Sequence, residues 1–261
     1  MRSIRTLLAR GAQQFEADCE AWELPRRNAW GIALLPIAIV GIVTFVAVLA
    51  FLSKSTFRPL FRLLTGEDAL LEWLQFVSIF AASVLSARLG IQLMRTGQRG
   101  MGVFYLLLAA GAFFVAGEEI SWGQRIFGWS TPEALEAINH QNETNVHNIR
   151  WVQRAFGFVV LGGGLYGTIV PLGRALLRRE RSHSAIEFLL IPPLCLVPAF
   201  LMPFGYRFFR LVFWPGKEGL IVRFGEGPEL CLYLGIFLFV WLNLHRLRER
   251  NPAPVVRMSA G

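Results

Sequence analysis

An all-α, polytopic transmembrane helix bundle of about six spans is what this sequence predicts, on three observations. Of its 261 residues, 54% are apolar and only 17% charged, against roughly 25% charged in soluble domains. Six runs approach the roughly 20 apolar residues that a helix needs to cross a hydrocarbon core about 30 Å thick. The basic residues sit in clusters that bracket those runs. A water-soluble domain, a disordered chain and a disulfide-stapled secreted module are all excluded by this composition.

Residues 1–29 are polar and mixed in charge, and no small-residue cleavage site follows the first apolar run. They are expected to remain as a cytoplasmic segment. Ile4 to Trp22 has the spacing of an amphipathic helix lying on the headgroups, with Ile4, Leu7, Leu8 and Phe15 facing lipid. The membrane domain is placed at 30–245, with spans at 30–52, 69–94, 101–119, 151–172, 185–205 and 228–245. An outer loop at 120–150 and a polar cytoplasmic tail at 246–261 complete the organisation. The first span is uncharged throughout, and the second carries Glu72 and Arg88 near opposite ends. In the fourth, Gly163 and Gly167 form a GxxxG pair suited to close helix approach. Pro192, Pro193, Pro198 and Pro203 predict a kinked or broken fifth span, its freed carbonyls turned toward protein or water.

Orientation follows from counting Lys and Arg. Sixteen lie in the N-terminal segment, the tail and the connections after spans two and four; ten lie in the connections after spans one, three and five. The positive-inside rule then places both termini in the cytoplasm, in an inner (plasma) membrane. The net charge of +8 is read as topology control and attraction to anionic membrane lipids. No nucleic-acid partner is expected, because no soluble basic module is present to carry one. Arg outnumbers Lys by 24 to 2, a bias that hints at a GC-rich bacterial genome. Cys19, Cys195 and Cys231 have no metal or redox spacing.

Seven acidic residues collect near the boundaries assigned to the outer face: Glu67, Asp68, Glu72, Glu118, Glu119, Glu226 and Glu229. A carboxylate within the first or last turn of an apolar helix is costly unless it is paired, protonated or bound to a cation. Glu67, Asp68 and Glu229 also read as simple caps, since carboxylates complement the dipole at a helix start. Glu118 and Glu119 stand at a helix C-terminal end, where the dipole opposes them.

The richest stretch is GEEISWGQRIFGW followed by NHQNETNVHN. A third helix continuing past Glu118 would bring Glu118, Trp122 and Arg125 onto one face. Ser130 and Glu133 have capping-box spacing, so a short helix is expected from about Thr131. If it ran on, Glu136, His140, Glu143 and His147 would share a face. Glu119, Glu143 and His147 are therefore candidate ligands for a divalent metal, the only cofactor the sequence suggests. The same groups could equally serve as a metal-free base and its orienter, or as a hydrogen-bonded cap on the mouth of the bundle.

These residues resemble the signature of a family of bacterial multi-pass membrane proteins that carries no agreed activity. The likeness covers roughly residues 66–150: GEEISWGQRIFGW, then Asn139, Gln141, Glu143, Asn145, His147 and Asn148, with GEDALLEWLQF upstream. A second likeness is to the intramembrane CAAX-protease and bacteriocin-processing family, which has paired glutamates followed by an arginine. That family has E-E-x-x-x-R, whereas here five residues separate Glu119 from Arg125. No protease activity is assigned.

The expectation is a membrane-embedded hydrolase or group transferase acting on a lipid or lipid-linked substrate. Glu118, Glu119, Glu143 and His147 would carry the chemistry. Arg125, Trp122, Gln124, Asn139, Gln141, Asn145, Asn148, Glu67, Asp68 and Glu72 would bind substrate. The alternatives are a proton- or cation-coupled transporter and a non-catalytic accessory subunit, docked on a partner membrane protein or on a second copy.

Overall fold

In lipid the backbone can satisfy its polar groups locally only as a helix. The computed structural model describes residues 4–66, 69–133, 144–146, 149–177, 184–214 and 220–250. Its longer helices are α1 (Ile4–Ala21), α2 (Arg26–Leu52), α3 (Lys54–Thr65), α4 (Leu70–Arg95) and α5 (Arg99–Glu119). After the short α6 (Gln124–Phe127) come α7 (Arg150–Leu177), α8 (Ala185–Leu190), α9 (Val197–Val212), α10 (Leu220–Phe224) and α11 (Glu226–Arg250). Six segments are long and apolar enough to cross a membrane, carried by α2, α4, α5, α7, the α8–α9 unit and α11. Helix α5 packs on α4, α4 on α11, α11 on α9 and α9 on α7, while α2 lies against α9 and α11. The protein is a multi-pass, all-α membrane bundle.

Small residues set the tightest crossings. A Cβ on Gly90 of α4 would sit 3.0 Å from the Gly102 carbonyl of α5, and the Ser83 hydroxyl donates to the Ala109 carbonyl at 2.8 Å nearby. On α7 the contact positions are Gly164, against the Phe200 carbonyl and Phe204 of α9, and Gly167, against the Phe200 ring. The GxxxG reading therefore needs one correction. Gly167 is a contact, but Gly163 faces open space and Gly164 takes its place.

The proline run breaks the fifth span as expected, and the structure accounts for the freed carbonyls. Pro192 and Pro193 offer no N–H to the preceding turn. Tyr105 of α5 donates its hydroxyl to the Leu189 carbonyl at 2.7 Å, and Tyr166 of α7 donates to Leu190 at 3.1 Å. At the restart, the Leu194 amide donates to the Asp18 carboxylate at 2.8 Å.

That last bond docks α1 on the bundle, and one residue of its expected lipid-facing set turns inward. Ile4 and Leu8 are exposed, as an outward apolar face requires. Phe15, however, packs on the bundle and meets Trp30 at 5.0 Å between ring centres. The docked face is polar: Arg10 donates to the Leu176 carbonyl at 2.8 Å, and Gln14 and Asp18 are buried. Helix-end carbonyls and the α8–α9 break leave backbone groups at this end of the bundle, and a stripe at i, i+4, i+8 supplies partners for them. Arg246 of α11 closes the same end, its guanidinium 3.5 Å above the Phe188 ring. Helix α3 has no counterpart among the expected elements. Its Phe57, Phe61 and Leu64 pack beneath Val43, Val46, Leu71 and Leu230, so a stretch that reads as a basic loop is an amphipathic helix.

Candidate functional site

Adjacent residues on a helix point about 100° apart, so the two glutamates closing α5 cannot share a neighbour. They face different surroundings. Glu118 is 3% exposed and accepts from the Trp122 indole N–H at 2.6 Å and from the Val146 amide at 2.7 Å. Glu119 turns into the bundle, where the buried Tyr233 of α11 donates its hydroxyl to it at 2.9 Å.

Glu118 belongs to a staple that the sequence GEEISWG builds. The third helix does not run on past Glu119; it stops, and a 3-10 turn follows at Ser121–Gly123. Ser121, Trp122 and Gly123 take φ values of +48°, +55° and +90°. A left-handed conformation costs roughly 1–2 kcal/mol for each non-glycine residue, so the surroundings must hold it. The indole lies over Gly117, where a Cβ would come within 2.9 Å of the ring, and meets Phe113 and Phe114 edge-on. The Asn145 amide donates to the buried Ser121 hydroxyl at 3.1 Å. Gln124 accepts from the Thr144 amide and donates to Thr131 at 2.9 Å. Trp122 does meet Glu118 as the helical spacing predicts, but through this strained turn. Glu118, Trp122, Gln124 and Asn145 are thereby fixed as one loop clamp.

Glu119 belongs to a second group, assembled from four helices at the same end of the bundle. Gln75 of α4 is fully buried and donates from its side-chain amide to the Glu226 carbonyl at 2.8 Å and carboxylate at 3.0 Å. The charges of Glu229, Glu119 and Glu72 all act on the Glu226 carboxylate. Arg207 of α9 forms an ion pair with Glu229, the side chains 26% and 17% exposed. From Glu226 to Tyr233 the site extends about 10 Å along α11, at 1.5 Å per residue. The side-chain oxygen of Gln75 is buried and accepts no hydrogen bond.

Of the predicted site residues, the structure therefore brings Glu119 to Tyr233 and Glu118, Trp122, Gln124 and Asn145 into the staple, while Glu72 stands in the first turn of α4, one turn before Gln75. Glu67, Asp68, Asn139, Gln141, Glu143, His147 and Asn148 lie outside the described residues, as do the side chain of Arg125 and the helix expected beyond Glu133. The metal reading on Glu143 and His147 falls outside with them. Among the described residues no three His, Cys, Asp or Glu side chains are placed to hold a metal ion. Glu226 and Glu229 are among the seven boundary carboxylates, Glu229 being readable by sequence either as a candidate within the first turn or as a simple cap. Sequence reasoning misses Gln75, Tyr233 and Arg207, although each is a hydrogen-bonding or charged side chain within or bordering an apolar span, which is itself a signal.

No family model, curated protein or solved structure matches the chain.

Proposed function

We propose that this protein is a membrane-embedded enzyme that hydrolyses a lipid or lipid-linked substrate, or transfers a group from it. Glu119 and Glu226 would be its proton-handling groups. The observation that carries this reading is that α11 holds two hydrogen-bonded polar pairs, Tyr233 with Glu119 and Glu226 with Gln75, each joining positions far apart in the chain. Titratable groups held in a water-poor cleft are where acid–base chemistry is tuned. In this reading one carboxylate takes a proton from a water or hydroxyl nucleophile as that oxygen attacks the substrate, and the leaving group departs with a proton from the site. Tyr233 positions Glu119. The sixteen basic residues assigned to the termini and inner connections support an outer-face position for this end in a bacterial inner membrane, both termini cytoplasmic.

The test is the lipid composition of cells carrying wild-type protein, no protein, Glu226→Gln or Tyr233→Phe. General acid–base groups contribute about 10²–10⁴-fold, so Glu226→Gln should reproduce the null profile and Tyr233→Phe should fall between. A folded Glu226→Gln protein that restores the wild-type profile would reject the role.

A second reading, a proton- or cation-coupled carrier, draws on one specific feature. The unsatisfied buried oxygen of Gln75 beside Glu226 is an acceptor that a proton donor or cation would complete. Flux of protons or monovalent cations into proteoliposomes, lost in Glu226→Gln, would favour it over the enzyme.

A further inference from the structure

Beside the carboxylate cluster, a groove of about 440 Å³ opens between α2, α9, α10 and α11. Its volume lies within the roughly 300–1,000 Å³ of small-molecule sites. The wall is apolar: Val40, Leu201, Met202, Gly205, Phe209 and Phe224 line it, with Pro228 and Tyr206. On α9 the lining positions run i, i+1, i+4, i+5, i+8 from Leu201, a single stripe about 12 Å long at 1.5 Å per residue. The next residue on that stripe is Arg210, in the last turn of α9.

Beyond the groove's apolar lining the same helix end carries two arginines, Arg207 and Arg210. The Nη1 atom of Arg210 and the Nε atom of Arg207 are buried and make no hydrogen bond. Tyr206 joins the two regions: its ring lines the groove, lies 5.9 Å from the Arg207 guanidinium and feels the charge of Arg210. Gly225 makes room for it, since a Cβ there would come within 2.7 Å of the phenol oxygen. An apolar groove whose lining stripe continues to Arg210, with a buried N–H that has no acceptor, complements an amphiphile with an anionic head.

We infer that the groove holds one acyl chain of an anionic glycerophospholipid, with the phosphate of its headgroup against Arg210. The chain runs back along α9 toward the middle of the bundle, and the head rests beside Glu229 and the carboxylate cluster. This rests on the proposed function and deepens it, because it names the class of substrate that the cluster would meet.

The experiment is lipid retention by the full-length protein in nanodiscs containing equal amounts of phosphatidylglycerol and phosphatidylcholine. After extraction into mild detergent, the bound lipid is identified by mass spectrometry. The wild type is expected to retain a single phosphatidylglycerol, enriched several-fold over phosphatidylcholine. Arg210→Gln should bring the ratio down to that of the bilayer. Gly205→Trp should empty the groove of both lipids; a Cβ at Gly205 meets no atom within 4 Å, so the fold has room for the change. No enrichment in the wild type, or enrichment unchanged in a folded Arg210→Gln protein, would overturn the inference. If enrichment holds while Glu226→Gln keeps the wild-type lipid profile, the binding site stands and the catalytic reading falls.

Discussion

Gly167→Leu is expected to prevent assembly of the bundle, whereas Gly163→Leu, one turn away, should fold as the wild type does. A Cβ at Gly167 would overlap the Phe200 ring of α9, which is 6% exposed. The other edge of the ring lies close on Gly235 of α11, where an added Cβ would come 3.3 Å from it, so it has little room to retreat. Phe200 is thus wedged between two glycine faces, and α7 must move away from α9 to admit a larger side chain. Overpacking of an ordinary core costs about 1–3 kcal/mol; separating two spans along their shared face should exceed that. A Cβ added at Gly163 would meet no atom within 4 Å, so that position serves as the control. Yield of monodisperse protein in detergent checks the pair. Equal yields would mean that α7 and α9 do not cross at Gly167.

Arg207→Met should lower thermal stability more than any other single change at the carboxylate cluster, and adding Glu229→Gln should recover most of the loss. Removing one partner of a buried ion pair leaves the other charged and unsolvated, at about 3–5 kcal/mol. The exposures of 26% and 17% place this pair toward the lower part of that range. Replacing both partners removes the stranded charge, so the double variant should approach wild type. Thermal unfolding of the two proteins in the same detergent decides it. Additive losses in the double variant would show that the two side chains act independently.

The spans are legible in the sequence because hydrocarbon thickness imposes a length that few soluble elements share. The proline break in α8–α9 is legible for a similar reason: a missing N–H is visible in the residue itself. Helix α3 is not, because Lys54, Arg58 and Arg62 enter a topology count as loop charges while Phe57, Phe61 and Leu64 supply the buried face. The docking of α1 is misread when apolar spacing alone is followed; Arg10, Gln14 and Asp18 form the stripe that meets the bundle.

At the candidate site, the gathering of acidic residues at one end follows from the alternation of spans. Their division into two groups does not. Ser121 and Trp122 carry no mark of a left-handed turn, and without that turn the indole of Trp122 cannot return over Gly117 to reach Glu118. The divergence of Glu118 and Glu119, by contrast, is implicit in their adjacency on a helix, about 100° apart. GEEISWG is best understood as a structural staple, with Glu119 as the member that turns toward Tyr233 of α11.

The most direct test compares Glu118→Gln with Glu119→Gln, measuring melting temperature and cellular lipid composition for each. Glu118 serves two donors, the Trp122 indole and the Val146 amide. A glutamine has only one carbonyl oxygen to offer them, and hydrogen bonds to a charged group are worth about 1.5–3 kcal/mol each. Glu119→Gln keeps an acceptor for the Tyr233 hydroxyl and loses the negative charge and the capacity to exchange a proton. The expected result is a lower melting temperature with an intact lipid profile for Glu118→Gln, and the reverse for Glu119→Gln. Loss of the lipid profile in Glu118→Gln alone, with Glu119→Gln indistinguishable from wild type, would contradict the assignment of Glu119 as the proton-handling member of the pair.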